Sequence, residues 1–243
     1  MARLARLCIA GQPHLVIQRT LGAESVLGDA ADARTYLGHL REAAAMAAVD
    51  LHAFALLPAQ VRLLVTPHHR SALGIMLQAA GRRFVAAYNR RSGRTGALWD
   101  GRFHAAPLDA QAHFVECLRF VEAAPVQLGL VERADEWPWS SAAHHTGIKS
   151  MPGLADHPQL WALGNTPFER EVSCERLLRM PLARERIRAL ELAARCGWAM
   201  GPPTFADAMA RLVKRRVRPA KRGRPEAKHL VDPIPLSNCS VPK

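Results

Sequence analysis

The chain is poor in acidic residues compared with basic ones. Of its 243 residues, 33 are Lys or Arg and only 21 are Asp or Glu, so the formal net charge is +12. The isoelectric point is about 10.5. A balance this basic favours a polyanionic partner, most often nucleic acid. The chain also lacks any run of about 18 apolar residues, so we expect no membrane-spanning segment.

Cysteine is scarce as well. The five cysteines are odd in number, scattered, and without a Cys-x-x-Cys pair. This pattern favours free thiols in a reducing compartment over a disulfide or zinc framework. The apolar run at the N-terminus is too short for a secretory signal. We therefore expect a cytoplasmic protein.

The positive charge is concentrated in two places. Between Arg211 and Lys228 there are nine Lys or Arg residues and one acid, which is a net charge of +8 and leaves +4 for the remaining chain. A second cluster is a candidate surface for DNA phosphates, with an ordinary solvated helix face as the alternative. Its members are Arg82, Arg83, Arg90, Arg91, Arg94 and Arg102.

Hydrophobic periodicity predicts the element order β-α-β-β-α-β-α over the first half of the chain. The predicted strands are His14–Thr20, Leu51–Leu57, Gln60–Thr66 and one within Leu98–Pro107. The predicted helices are Asp29–Val49, Ser71–Arg91 and Asp109–Ala123. This order indicates an α+β fold with a ferredoxin-like split β-α-β core, in which an antiparallel sheet carries helices on one face.

From about residue 165 the pattern becomes helical only. Thr166 followed by Pro167 is typical of a helix start, and two further helices are expected at Ala183–Cys196 and Thr204–Val213. We therefore expect a domain at 1–165, a helical extension at 166–213 and a basic, disordered tail at 214–243. In the tail, Arg222 and Arg224 flank a glycine before a proline. This resembles the core of a hook that binds the DNA minor groove, and the alternative is an unspecific basic tail.

The strand that begins at Gln60 has the spacing of a metal-binding strand without the ligands. Side chains at i and i+2 of a strand point to the same face, and two His at that spacing form a ready pair of divalent-metal ligands. Gln60 and Arg62 stand there instead. Gln is a poor ligand, and Arg has no acceptor atom and stays charged.

Several short motifs, taken together in order and spacing, resemble one family. They are Gly11-Gln12-Pro13-His14, Arg94-Thr95-Gly96-Ala97-Leu98-Trp99 followed by Arg102-Phe103, Pro125-Val126, and Trp137-Pro138-Trp139-Ser140-Ser141. The sequence resembles the single-tyrosine HUH transposases, in the repeat-associated (REP-associated) branch. The resemblance covers residues 1–165 and continues more weakly through 197–201. It implies the same α+β fold, a single-stranded or hairpin DNA partner, and a monomer or homodimer.

The resemblance also implies a site. The family holds Mg²⁺ or Mn²⁺ with two strand histidines, attacks the scissile phosphate with a helix tyrosine, and completes the metal site with an amide or carboxyl group one turn later. These positions fall on Gln60 and Arg62, on Phe120, and on Ala124. Phe has no oxygen to form a covalent intermediate. We therefore expect no functioning catalytic residues, no metal and no cofactor.

Arg62 is the most consequential of the four replacements. At about 4 Å and an effective dielectric of about 20, two unit charges repel by about 4 kcal/mol, and a dication would meet about twice that repulsion. Arg62 suits a direct contact with a DNA phosphate, and the alternative is an exposed strand Arg without a partner. His113 and Cys117 would make only an incomplete metal pair. Tyr36 and Tyr88, the only tyrosines, fit core packing better than catalysis.

The sequence as a whole predicts a transposase-like DNA-binding protein that recognises single-stranded or hairpin DNA and has lost tyrosine nicking. One alternative is an active transposase with relocated ligands and Tyr88 as nucleophile. A second is a basic protein that coats nucleic acid without specificity.

Overall fold

The computed structural model describes residues 7–23, 25–213 and 216–219. Its four strands are β1 (His14–Arg19), β2 (Val49–Leu57), β3 (Gln60–Pro67) and β4 (His104–Pro107). They form one antiparallel sheet in the order β2-β3-β1-β4. The first helices are α1 (Ala30–Met46), α2 (Ala72–Ser92) and α3 (Ala110–Glu122). The predicted α+β class and the β-α-β-β-α-β-α order are therefore confirmed.

The remaining helices lie after α3. They are α4 (Ala124–Gln127), α5 (Ala142–His145), α6 (Pro158–Trp161), α7 (Pro167–Arg179), α8 (Arg184–Cys196) and α9 (Pro203–Val213). Short 3-10 segments occupy Leu21–Ala23 and Ala134–Glu136. No helix in the described ranges is both long enough and apolar enough to cross a membrane.

Local chemistry explains where several helices begin and end. Asp29 caps α1 by accepting a hydrogen bond from the Ala31 amide at 2.6 Å, and Thr166 caps α7 in a reciprocal capping box with Glu169. The predicted cap Ser71 makes no such side-chain bond. α1 ends three residues before the predicted Val49, because Ala48 adopts a positive φ of 50° that turns the chain into β2.

Helices cover both faces of the sheet, which differs from the expectation of one helical face. Val61 and Leu63 of β3 pack in the cluster that contains the buried side of α1 and α2. Leu64, on the opposite face, packs with α3 and with Leu190 of α8. The sequence carries a sign of this, because residues 51–57 are an almost unbroken apolar run. Such runs are typical of strands that are buried on both faces.

The C-terminal helices complete this second face. α8 lies against β4 and β1, and α7 lies against α3. α9 packs in a small separate cluster with Leu7, Ile9 and Val217. Val217 falls within the predicted tail, yet it is buried and its carbonyl accepts a hydrogen bond from the Ala199 amide at 2.8 Å. Arg222 and Arg224 lie outside the described residues.

The Trp-Pro-Trp-Ser-Ser motif has a structural role at the edge of the sheet. The Leu56 amide donates to the Trp139 carbonyl at 2.8 Å, and the Ser141 amide donates to the Phe54 carbonyl at 2.9 Å. The indole N–H of Trp137 donates to the Leu56 carbonyl at 2.9 Å. The motif therefore satisfies the free edge of β2, which would otherwise present unpaired backbone groups to solvent.

Candidate functional site

The positions that the resemblance singles out come together in the fold. Arg62 points from β3 towards α3, where its guanidinium carbon lies 4.1 Å from the centre of the Phe120 ring. Its Nη1 also donates to the Phe120 carbonyl at 3.2 Å. Ala124, one helical turn after Phe120, is fully buried in the same cluster. Gln60 begins β3 and is half-buried. The strand and helix positions that the sequence relates are thus neighbours in space.

Arg62 is a buried cation whose two terminal nitrogens are both engaged, whereas its Nε has no hydrogen-bond partner among the described residues. It is 3% exposed. Its Nη1 donates to Gln127 Oε1 at 3.3 Å, and its Nη2 pairs with Glu191 Oε1, also at 3.3 Å. Burial lowers the pKa of Arg62 to about 10, and the nearby Glu191 carboxylate opposes that shift. Arg62 therefore remains charged at neutral pH.

This placement corrects the expectation that Arg62 contacts a DNA phosphate, and it also corrects the alternative of an exposed Arg without a partner. The physical reason is α8, which packs across β1 and β4 and delivers Glu191 to the guanidinium. The two residues are 129 positions apart in the chain, so no local sequence pattern relates them. A buried charge without a partner would be very costly, and Glu191 meets that need.

Arg62, Phe120, Ala124, Gln127 and Glu191 are called the Arg62 cluster below. The chemistry of the Arg62 cluster does not fit a divalent cation. Arg62 places a positive charge where the family resemblance puts the metal, and neither Phe120 nor Ala124 offers an oxygen or nitrogen ligand. Within the described ranges, no group of three or more His, Cys, Asp or Glu side chains is arranged to hold a metal ion. His113 instead contacts Glu116 at 3.1 Å and Arg186 at 3.0 Å. Burial raises the pKa of the Cys117 thiol, which keeps it protonated.

The two tyrosines lie on the other face of the sheet from Arg62. Tyr36 is fully buried, with its ring centre 5.2 Å from that of Phe84. Burial raises the pKa of the Tyr36 hydroxyl. Tyr88 is half-buried, and its ring centre lies 5.8 Å from Phe84. Both belong to the core beneath α1 and α2, as predicted for packing residues.

The members of the second arginine cluster have different surroundings. Arg83 pairs with Glu42 at 2.8 Å, and Arg91 pairs with Asp32, so both engage acids of α1. Arg82 and Arg102 line a groove on another side of α2. Arg90 is exposed and Arg94 is half-buried. The six arginines that the sequence treats as one set therefore differ in their surroundings.

The groove runs between α2 and the segment 97–103, and its volume is about 1220 Å³. Its walls are largely apolar, and among the described residues that line it, the charged ones are all arginines. The apolar lining includes Leu21, Leu73, Ile75, Leu77, Val85, Leu98, Trp99 and Phe103, and the arginines are Arg70, Arg82 and Arg102. Two of the resemblance motifs, around Trp99 and Phe103, thus form one wall.

A smaller cavity of about 330 Å³ lies beside the Arg62 cluster, and sequence reasoning missed it. Arg19 and His104 reach it from the sheet, and Arg188, Glu191 and Arg195 from α8. Burial and the neighbouring Arg19 lower the pKa of His104. The spacing of the three α8 residues, i, i+3 and i+7, places them on one helix face. From the sequence, that spacing could have predicted that these three charged side chains lie together on one surface.

The chain was compared with protein-family models, curated proteins and solved structures. No protein-family model matches the chain, and no curated protein matches it. The chain is similar in structure to a REP-associated tyrosine transposase solved bound to a REP hairpin. The identity is 12%, the match covers 65% of this chain and 99% of that chain, and the TM-score is 0.49. It is also similar to a protein of Deinococcus radiodurans assigned as a transposase, at 21% identity, covering 47% and 93% of the respective chains, with a TM-score of 0.35.

The first structure is a transposase and the second is assigned as one. Both identities are below 25% and both TM-scores are below 0.5. The function of this chain is therefore inferred from its own residues.

Proposed function

We propose that this protein is a transposase-like DNA-binding protein that recognises single-stranded or hairpin DNA and no longer nicks it. The observation that carries the proposal is the contact between Arg62 and Phe120. A buried cation and a ring without a hydroxyl stand where the family resemblance places the metal and the nucleophile. Without these two groups, the chain lacks both the Lewis acid that would activate the scissile phosphate and the nucleophile that would form the covalent intermediate.

Charge supports DNA as the partner. The chain carries a net charge of +12, and the charged residues lining the large groove are arginines. Arginine forks suit phosphate oxygens. Arg82, Arg90, Arg94 and Arg102 are the proposed phosphate contacts, and Arg83 and Arg91 contribute only if they release their α1 partners. The proposed preference for a DNA hairpin comes from the motif resemblance alone.

A binding assay with three labelled DNAs of equal length tests the proposal: an imperfect-palindrome hairpin, an unstructured single strand and a blunt duplex. We expect the hairpin to bind more tightly than the duplex at a fixed salt concentration. A steep salt dependence with equal affinity for all three would instead indicate a basic protein that coats nucleic acid. Absence of binding to every DNA at low salt would contradict the proposal.

A further inference from the structure

We infer that the groove between α2 and the segment 97–103 binds unpaired nucleobases, with the arginines at its rim holding the adjoining phosphates. The inference rests on the proposed function, because it names where the single-stranded part of the DNA lies. It goes beyond that function by assigning base contacts to a site on the α1 and α2 face of the sheet, away from the Arg62 cluster.

The shape and apolar lining of the groove favour flat, largely apolar ligand groups. Its volume of about 1220 Å³ exceeds the roughly 300–1,000 Å³ typical of small-molecule sites, so it has room for more than one nucleotide. Ile75 and Leu21 in its lining are 48% and 47% exposed. Exposed apolar side chains gathered in one concave surface are typical of binding sites. Nucleobases would cover this surface with their faces.

An aromatic side chain is held rigidly in the wall of the groove. The Trp99 indole packs against α2 at Gly81. A Cβ atom added to Gly81 would lie only 3.3 Å from the indole nitrogen, so the ring lies close to the helix backbone. Its ring centre is 5.4 Å from that of Tyr36. Bases stack on aromatic side chains without strict sequence preference. A ring already fixed by its neighbours loses little freedom when a ligand binds.

The charges of the groove select an anionic ligand. Arg70, Arg82 and Arg102 line it, and no acidic side chain among its described lining residues opposes them. Arg70 also donates to the Leu212 carbonyl at 3.3 Å. Arg82 and Arg102 form no ion pair with any other residue in the described ranges. An apolar groove rimmed by unpaired arginines matches a single strand, whose bases are apolar on their faces and whose backbone is anionic.

Three DNA probes separate contacts to bases from contacts to phosphates. All carry the same hairpin: one is blunt, one has a short oligothymidine extension, and one has an extension of equal length made of abasic sites. The last two differ in bases and not in phosphate number. We expect the base-bearing extension to bind at least about fivefold more tightly than the abasic one, which corresponds to one stacked base at about 1 kcal/mol.

Two pairs of variants locate the effect. Ile75→Asp places a negative charge in the groove and should abolish the difference between the two extensions. Ile148→Asp is its control, because Ile148 is also an exposed isoleucine, at 60%, and does not line the groove. Arg82→Gln should weaken binding of the extended hairpin more than Arg83→Gln, although both remove one charge from neighbouring positions. Both aspartate variants alter exposed side chains, so their melting temperatures should stay close to that of the unaltered protein.

The outcomes distinguish the groove from the wider function. Equal affinity for the two extensions, with the hairpin itself still bound, would overturn the groove assignment and leave the proposed function standing. Equal losses in Ile75→Asp and Ile148→Asp, or in Arg82→Gln and Arg83→Gln, would also overturn it, because general charge would then explain binding. Failure to bind any of the three probes would contradict both proposals.

Discussion

The guanidinium of Arg62 lies 4.1 Å from the centre of the Phe120 ring and donates a hydrogen bond to the carbonyl of the same residue at 3.2 Å. A guanidinium over an aromatic face is a favourable contact, and more so when water is excluded. The two side chains are thus mutually compatible, because the cation packs against the face of the ring. In the proposed function, they stand where the family resemblance places the metal and the nucleophile. Substituting one of them alone would leave the other without its partner.

The Arg62 cluster should contribute measurably to stability. Arg62→Ala should lower the free energy of unfolding by about 2–4 kcal/mol, because it opens a cavity against Phe120 and removes the guanidinium donor from the Phe120 carbonyl. Urea denaturation measures the loss. The matched control is Arg19→Ala, since Arg19 also faces Glu191, at 3.8 Å, but is 52% exposed. The control should cost less than about 1 kcal/mol, and equal costs for the two variants would contradict the account.

A buried histidine should make the protein less stable in mild acid. His14 is fully buried and neutral, because its Nδ1 donates to the Gln12 carbonyl at 2.7 Å and its Nε2 accepts from the Ile9 amide at 3.2 Å. Burial lowers the pKa of His14 from 6.5 to about 4. The unfolded chain therefore binds a proton at a higher pH than the folded protein. Stability from His14 is present above pH 6.5 and falls towards pH 4 by about 3 kcal/mol in total.

Denaturation curves between about pH 7 and pH 4 measure this loss. His14→Gln should remove that part of the pH dependence, because an uncharged amide can still donate and accept. His145 opposes the trend: burial alone would lower its pKa, but the Glu122 carboxylate 2.6 Å away raises it overall. Its stabilisation is present below pH 6.5 and is lost as the pH rises through its raised value. An identical pH profile for His14→Gln and the unaltered protein would refute the assignment.

The exposed arginine at the end of α2 should contribute to the salt dependence of DNA binding. For the pair Arg90→Ala and Arg91→Ala, the slope of log affinity against log salt should fall by about 0.7 for each lost phosphate contact on a single strand. Arg91 engages Asp32, so we expect the change to arise mainly from Arg90. Arg179→Ala is a suitable control, because Arg179 lies at the end of α7 and pairs with Glu175 at 2.5 Å. An unchanged slope in the double variant would remove this surface from the proposal.

The basic C-terminus should supply affinity without sequence choice. Removal of residues 220–243 deletes five Lys or Arg and two acids, a net charge of +3, and it retains Val217, which packs on Leu7 and Ile9. We expect weaker binding to all DNAs by a similar factor, a shallower salt slope, and little change in melting temperature. A selective loss on A·T-rich duplex compared with G·C-rich duplex would instead indicate that Arg222 and Arg224 form a minor-groove hook.

Much of the first half of the fold could be predicted from local patterns. The order of elements follows from hydrophobic periodicity, and the β2–β3 hairpin follows from the short Pro58-Ala59 turn. The proximity of Arg62 to Phe120 followed from the motif resemblance, because both positions belong to one site in that family. These predictions depend on neighbouring residues or on a known pattern.

The remainder depends on contacts between distant segments. The pairing of Arg62 with Glu191 requires α8 to pack on the sheet, and no local pattern in the strand indicates it. Helix geometry alone could have predicted that Arg82 and Arg83 face different surroundings, because adjacent helix residues point about 100° apart. The groove could not be predicted in this way, since its two walls come from α2 and from a loop whose position only the tertiary fold determines.

Incubation of the protein with labelled hairpin DNA and Mn²⁺, followed by native and denaturing electrophoresis, shows whether the protein binds the hairpin and whether it nicks it. We expect a shifted complex under native conditions, and neither a cleaved strand nor a covalent protein–DNA adduct after denaturation. A fourfold variant, Gln60→His, Arg62→His, Phe120→Tyr and Ala124→Asn, supplies the matched comparison for recovered cleavage. Metal-dependent cleavage or a tyrosine-linked adduct with the unaltered protein would contradict the claim that nicking has been lost.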